Sequence, residues 1–183
     1  MTGSPSWPDP VRRFRSGVYL GPVADEGAAF PVGSEDDKEL LLQWLAYLRG
    51  AVLRNLTGLD DERARWQPDG KLIPLIGVVN HLTRVEWRWI DGGFRGKDVG
   101  RSEEEFRPGG DLTLEAVLGA YRARAMVTEE VVRSLPLSQR ADPAGWAEGH
   151  DLRFVLLHLI NETARHAGHA DAIRELLDGS TGE

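Results

Sequence analysis

The chain has 183 residues, 41% of them hydrophobic and 28% charged, which suits a single globular domain with a real core. It contains no cysteine, so disulfides, thiolate nucleophiles and iron–sulfur sites are excluded and any metal must bind through nitrogen and oxygen. A net charge of -7 argues against a nucleic-acid function, since that affinity comes from Lys and Arg neutralising phosphates, and no stretch approaches the roughly 20 apolar residues of a membrane helix.

Residues 1–33 hold Pro5, Pro8, Pro10, Pro22 and Pro31 among five glycines, a density of helix breakers that predicts an extended arm outside the core. Met1–Pro10 has no secretory pattern and Gly3 is not placed for lipidation, so a cytoplasmic protein is expected. The runs Arg12-Arg13-Phe14-Arg15 and Arg122-Ala123-Arg124 read as solvated surface. From Ser34 the character changes. Ser34-Glu35-Asp36-Asp37 offers a cap and an acidic first turn, and Leu40, Leu41, Trp44, Leu45, Leu48, Val52 and Leu56 follow at helical spacing, predicting a first helix over about residues 35–59. Asp60 to Lys71 breaks the pattern. Pro74 suits the first turn of a second helix with its stripe at Leu75, Val78, Val79, Leu82, Val85 and Trp89, ending near Asp91-Gly92-Gly93.

Phe94 to Gly110 is polar and glycine-rich, with the acidic run Glu103-Glu104-Glu105. It reads as a loop that crosses the bundle in preference to one that closes over a site. Asp111 or Thr113 can cap a third helix, with its stripe running from Leu114 through Tyr121 to Leu135 and its end at Pro136. After a loop at Pro143 and Gly145, Asp151 caps a fourth helix that Gly179 stops. Four amphipathic helices and no convincing strand predict an all-α four-helix bundle over residues 34–179.

Chemistry concentrates in the fourth helix. At about 100° per residue, His158, Glu162, His166 and His169 share an arc of roughly 80°, with Val155, Leu159 and Ile173 in or beside it, so Glu162 and His166 face the interior. An unpaired carboxylate there would protonate or lose several kcal/mol, whereas a divalent cation beside an imidazole favours its charge. Glu162 and His166 stand four apart, a spacing that brings side chains together on a helix and also suits a surface ion pair. His81, at the edge of the second helix's apolar stripe, is a third candidate, and a half-buried hydrogen-bonded histidine is its ordinary alternative. Together the three would leave coordination positions open for water or substrate. Trp44, Trp66, Trp87, Trp89 and Trp146 are first of all packing mass, with one or two available to line a pocket mouth.

The stretch from Trp66-Gln67-Pro68 into Ile76-Gly77-Val78-Val79-Asn80-His81-Leu82, and above all Asn161-Glu162-Thr163-Ala164-Arg165-His166-Ala167-Gly168-His169-Ala170, resembles the DinB-like superfamily over roughly residues 36–178. That superfamily of four-helix bundles includes YfiT-like metal-dependent hydrolases and bacterial thiol-dependent transferases. The resemblance implies one histidine ligand from the second helix and two ligands from the fourth, commonly His-x-x-x-His. Glu162 in the first position of that pair departs from this and resembles the mycothiol-dependent maleylpyruvate isomerase branch. By resemblance, then, His81, Glu162 and His166 are the metal ligands. His169 stands where many relatives have glutamine and is expected in a supporting or pocket-lining place; His158 is expected to be structural, and His150 has the weakest claim.

The same resemblance implies a metal-dependent transferase that joins a low-molecular-weight thiol, such as mycothiol, bacillithiol or glutathione, to a small electrophile. Metal-dependent hydrolysis and a non-catalytic metal- or small-molecule-binding bundle are the alternatives. Zinc is expected from abundance and ligand softness, with nickel, iron and manganese compatible with the same donors. The expected partners are a small-molecule substrate and the thiol, with no nucleic acid and no membrane. A homodimer is plausible through the arm or through exposed helix faces.

Overall fold

Most helices of the chain begin where the sequence supplies an oxygen to cap their first free N–H groups. In the computed structural model, which describes residues 27–182, Asp36 accepts from the Lys38 and Glu39 amides to start α1 (Asp37–Arg54). Asp60 caps the short α2 (Asp61–Ala64), Thr113 caps α4 (Leu114–Ser134) and Asp151 caps α5 (Leu152–Asp178). The exception is α3 (Leu75–Trp87), where Pro74 itself occupies the cap position at φ -64° with no side-chain bond. At the other end of α5, Gly179 takes φ 82°, the left-handed turn that a Cβ would strain, and returns its N–H to Glu175 O. Residues 1–26 of the predicted arm, and the run at 12–15, lie outside the described residues; Phe30 packs edge-on against Trp44 and Tyr47.

The long helices α1, α3, α4 and α5 form the expected all-α bundle. Helix α1 packs on α5 and α4, and α3 on α4 and α5. Among the described residues there is no strand, only an isolated bridge between Arg140 and Asp151. One boundary, one element and one coil type differ from the sequence expectation. Helix α1 stops at Arg54, not near residue 59, because the buried Asn55 side chain turns back to Ala51 O (3.2 Å) and across to Asp171 Oδ1 (2.8 Å), and Gly58 then adopts φ 73°. The stretch expected to be irregular holds α2. Helix α3 continues without interruption into a π-helical turn over Arg88–Phe94, a wider coil that displaces its side chains from α-helical phase.

The buried face of α1 is also rotated from the predicted stripe. Leu42, Leu45, Arg49, Val52 and Leu53 are buried, while Leu40, Leu41, Trp44 and Leu48 are only half-buried. Arg49 is the cause, since a charged residue reads as surface yet here is fully enclosed. Its Nε and Nη2 donate to Glu86 Oε1 and Oε2 at 2.8 and 2.7 Å, and Thr128 donates to the same Oε2 at 2.7 Å. Glu129 stands 3.6 Å from Arg49 Nη1. This polar layer divides the core in two. On one side lie Val52, Leu82, Tyr121 and Ile173, and on the other Leu45, Ile90, Val132 and Leu156. Arg124, expected to be solvated, is instead turned inward, with Nη1 2.5 Å from the Asp91 carboxylate.

Candidate metal centre

Helices α3 and α5 carry the candidate ligands toward each other. His81 from α3 and Glu162 and His166 from α5 each offer a donor atom, and these atoms lie within 4.8 Å of one another. Glu162 Oε2 is 3.6 Å from His166 Nε2 and 4.0 Å from His81 Nε2, and the two imidazoles meet at 4.6 Å with their planes 60° apart. One helical turn separates Glu162 from His166, so both project from the same side of α5 beside the small Thr163 and Ala167. Both histidines are buried, and the Glu162 side chain is 22% exposed, which keeps the cluster open on one side.

The electrostatics prepare lone pairs, not protons. Burial, followed by the neighbouring His81, pushes the His166 imidazole down to about 4 against the opposing pull of Glu162. His166 is therefore neutral at pH 7. Its Nδ1 is buried with no hydrogen-bond partner, and its Nε2 stands from Glu162 at a distance longer than a hydrogen bond. The His166 Nε2 lone pair and the Glu162 carboxylate face each other without a hydrogen bond, and a cation between them would engage both. The donor set fits a divalent first-row ion, whose bonds run about 2.0–2.2 Å.

The loop after α3 does more than cross the bundle. Glu105, the last of three consecutive glutamates, is 3% exposed and sits against the centre, while Glu104 is in solvent. Its Oε1 is 2.5 Å from His81 Nδ1, and Arg88 donates to both of its oxygens at 2.5 and 2.8 Å. Asn80 Nδ2 donates to the Glu105 carbonyl at 2.7 Å, and the Phe106 ring stacks on His81 at 4.4 Å. Gly77 permits this approach, because a Cβ there would overlap the Phe106 carbonyl. The crossover reading of the loop is thereby corrected: it closes on His81. Sequence alone could not separate Glu105 from its identical neighbours, since the distinction arises only where Arg88 and His81 face it from another helix.

The remaining histidines divide. His169 is exposed, 5.2 Å edge-on from His166, and is not part of the three-residue group. His150 stacks on Phe154 at 3.8 Å, away from the cluster. His158, expected to be structural, packs on Trp89 at 3.8 Å and also lines a cavity of about 480 Å³ that has Glu162 and His81 in its wall. Trp89, Trp146, Val99 and Arg101 complete much of that wall. The π-helical turn builds it. A Cβ at Gly92 would overlap Val99, one at Gly93 would press the Trp146 ring, and one at Gly145 would overlap Gly93 O. Bare backbone at these three positions lets the Trp146 loop seat against α3. The cavity thus places apolar and aromatic surface beside the cluster, in a volume suited to a small ligand.

A protein-family model described as Mycothiol-S-transferase matches residues 40–179, from the first turn of α1 to the residue that ends α5, and so includes every residue of the cluster. No curated protein matches the chain.

Proposed function

Since the chain belongs to the mycothiol S-transferase family, we propose that it joins a low-molecular-weight thiol to a small electrophile at a divalent metal held by His81, Glu162 and His166. One observation carries this reading: the three donor atoms lie within 4.8 Å of one another beside an aromatic-walled cavity. The metal, when bound, supplies positive charge that lowers the pKa of a thiol and makes its thiolate available at neutral pH. The chain contributes no cysteine, so the sulfur comes from the cosubstrate.

The protein's own groups then bind and orient. His81 and His166 would offer imidazole nitrogens, and Glu162, at the open side, would offset part of the cation's charge. Trp89, Trp146 and Val99 give the electrophile a wall that excludes water from one side, and Arg101 stands at the same cavity as a cation for a polar or anionic substituent. In the reaction a bond forms between the thiol sulfur and the electrophilic carbon. The leaving group departs with the bonding pair, and the thiol proton passes to solvent through the cavity mouth.

The test uses tag-free protein stripped by chelator and reloaded separately with zinc, nickel, iron and manganese. Thiol consumption is then followed with mycothiol, bacillithiol and glutathione against a panel of small electrophiles. Metal-dependent conjugation that disappears in His81→Ala is the expected result. Electrophile turnover at the same rate without any thiol would replace transfer with hydrolysis, and metal binding without turnover would leave a binding protein.

A further inference from the structure

We infer that Glu105 is a positioning residue for the metal centre: its carboxylate holds the proton of His81 on Nδ1 and thereby turns the Nε2 lone pair toward Glu162 and His166. The inference rests on the metal reading above and adds a residue that lies outside the α3 and α5 signatures.

The geometry is over-determined. Glu105 Oε1 meets His81 Nδ1 at 2.5 Å, and the opposite ring nitrogen of His81 is the one that faces Glu162. Arg88 grips both carboxylate oxygens, so the carboxylate cannot rotate away from the imidazole without breaking a two-point bond. With both oxygens accepting from Arg88 and Oε1 against Nδ1, the carboxylate acts as an acceptor there, so Nδ1 carries the hydrogen and Nε2 is left as the free donor to a metal. Phe106 on the ring face removes the remaining rotational freedom. A carboxylate behind a histidine ligand fixes its tautomer and raises its basicity, and losing such a partner lowers metal affinity about 10–100-fold.

A plain loop anchor would show the same contacts, so the test needs a readout that anchoring does not move. Asn80 fastens the same segment through the Glu105 carbonyl without touching its carboxylate, and Asn80→Ala is therefore the control for Glu105→Ala. Zinc affinity is measured by chelator competition, and the His81 tautomer by long-range 1H–15N correlation on the metal-free wild type, which needs no variant to fold. The expected result is an Nδ1–H tautomer in wild type, a 10–100-fold affinity loss in Glu105→Ala and a change of less than about threefold in Asn80→Ala. An Nε2–H tautomer in wild type, or equal affinity losses in the two variants, would reduce Glu105 to a loop anchor. Wild-type protein that binds no zinc would instead remove the metal reading, and this inference with it. Tight zinc binding that is unchanged in Glu105→Ala would sink only the role of Glu105.

Discussion

Glu162 Oε2 and His166 Nε2 face each other across 3.6 Å, one turn apart on α5, and no hydrogen bond closes the gap. Such a pair gains little as it stands and a great deal from a cation between its members. Metal-free protein is therefore expected to take up about one divalent ion per chain and to gain about 2.7 kcal/mol of stability at a metal concentration 100 times the Kd. Differential scanning fluorimetry with elemental analysis checks this. Glu162→Ala and His166→Ala are expected to lose both the ion and the thermal shift, and a shift that survives in either variant would place the ion elsewhere.

The polar layer carries a second prediction. Glu86→Ala leaves the Arg49 guanidinium fully buried without its two-point partner, and about 3–5 kcal/mol of stability should be lost. Replacing the pair together, with Arg49→Met and Glu86→Leu, is expected to recover most of that loss, because neither charge is then stranded. Urea denaturation of the three proteins decides the matter. A double variant no better than the single one would mean that Thr128 and Glu129 need the charges as much as the charges need each other.

Gly77 and Gly119 are both helical glycines and should respond in opposite directions. A Cβ at Gly77 meets the Phe106 carbonyl, so Gly77→Ala is expected to destabilise by about 1–3 kcal/mol and to expose the segment around Phe106 to protease. A Cβ at Gly119 meets nothing within 4 Å, so Gly119→Ala should stabilise by about 0.5–1 kcal/mol through helix propensity alone. Thermal melts with timed proteolysis would read both effects.

Asp91 governs an acid response. Burial pushes its pKa upward, but hydrogen bonds and charge from Lys97 and Arg124 outweigh that and leave it below the ordinary 3.8. A carboxyl depressed in the folded state contributes stability that is present above the unfolded pKa and lost as pH falls through the folded one. Wild type should thus melt above Asp91→Asn by a constant margin from pH 7 to about 5, with the margin shrinking below pH 3.8. A margin independent of pH down to about 2 would show that packing, not charge, separates the two.

Trp146 tests the cavity wall. Its ring lies against Gly93 and Trp89 and is 56% exposed, so truncation should disturb the core little. If the electrophile rests on this wall, Trp146→Ala raises KM about tenfold with kcat nearly unchanged, the pattern of a lost contact present equally in ground and transition states. Steady-state kinetics with a fixed saturating thiol would show it, and an effect confined to kcat would contradict it.

The helices and the proximity of Glu162 to His166 on α5 were legible because periodicity and capping act locally. Asp151 and Gly179 announce themselves in the chain, Thr113 is one of two cap candidates with Asp111, and Glu162 and His166 are neighbours by helical arithmetic. What escaped depended on contacts between distant segments. Arg49 is buried against a partner, Glu86, that lies 37 positions away. Glu105 was hidden in a run of three identical acids, and the π-helical turn at Arg88–Phe94 packs at Gly93 against the Trp146 ring, a contact that no window of sequence contains.

Helix α1 holds no candidate ligand, yet it acts as the ruler on which the centre is aligned. Arg49 grips Glu86, five positions after His81 on α3, and Asn55 grips Asp171, five positions after His166 on α5. Both helices that carry candidate ligands are thus tied to α1 and the residue that caps it. A slip of either by one turn, about 5.4 Å, would strand a buried polar group and also carry its candidate ligand past the other's. The axial alignment of His81 with His166 is set from outside the site, and changes on α1 far from any donor atom would be felt there as misalignment.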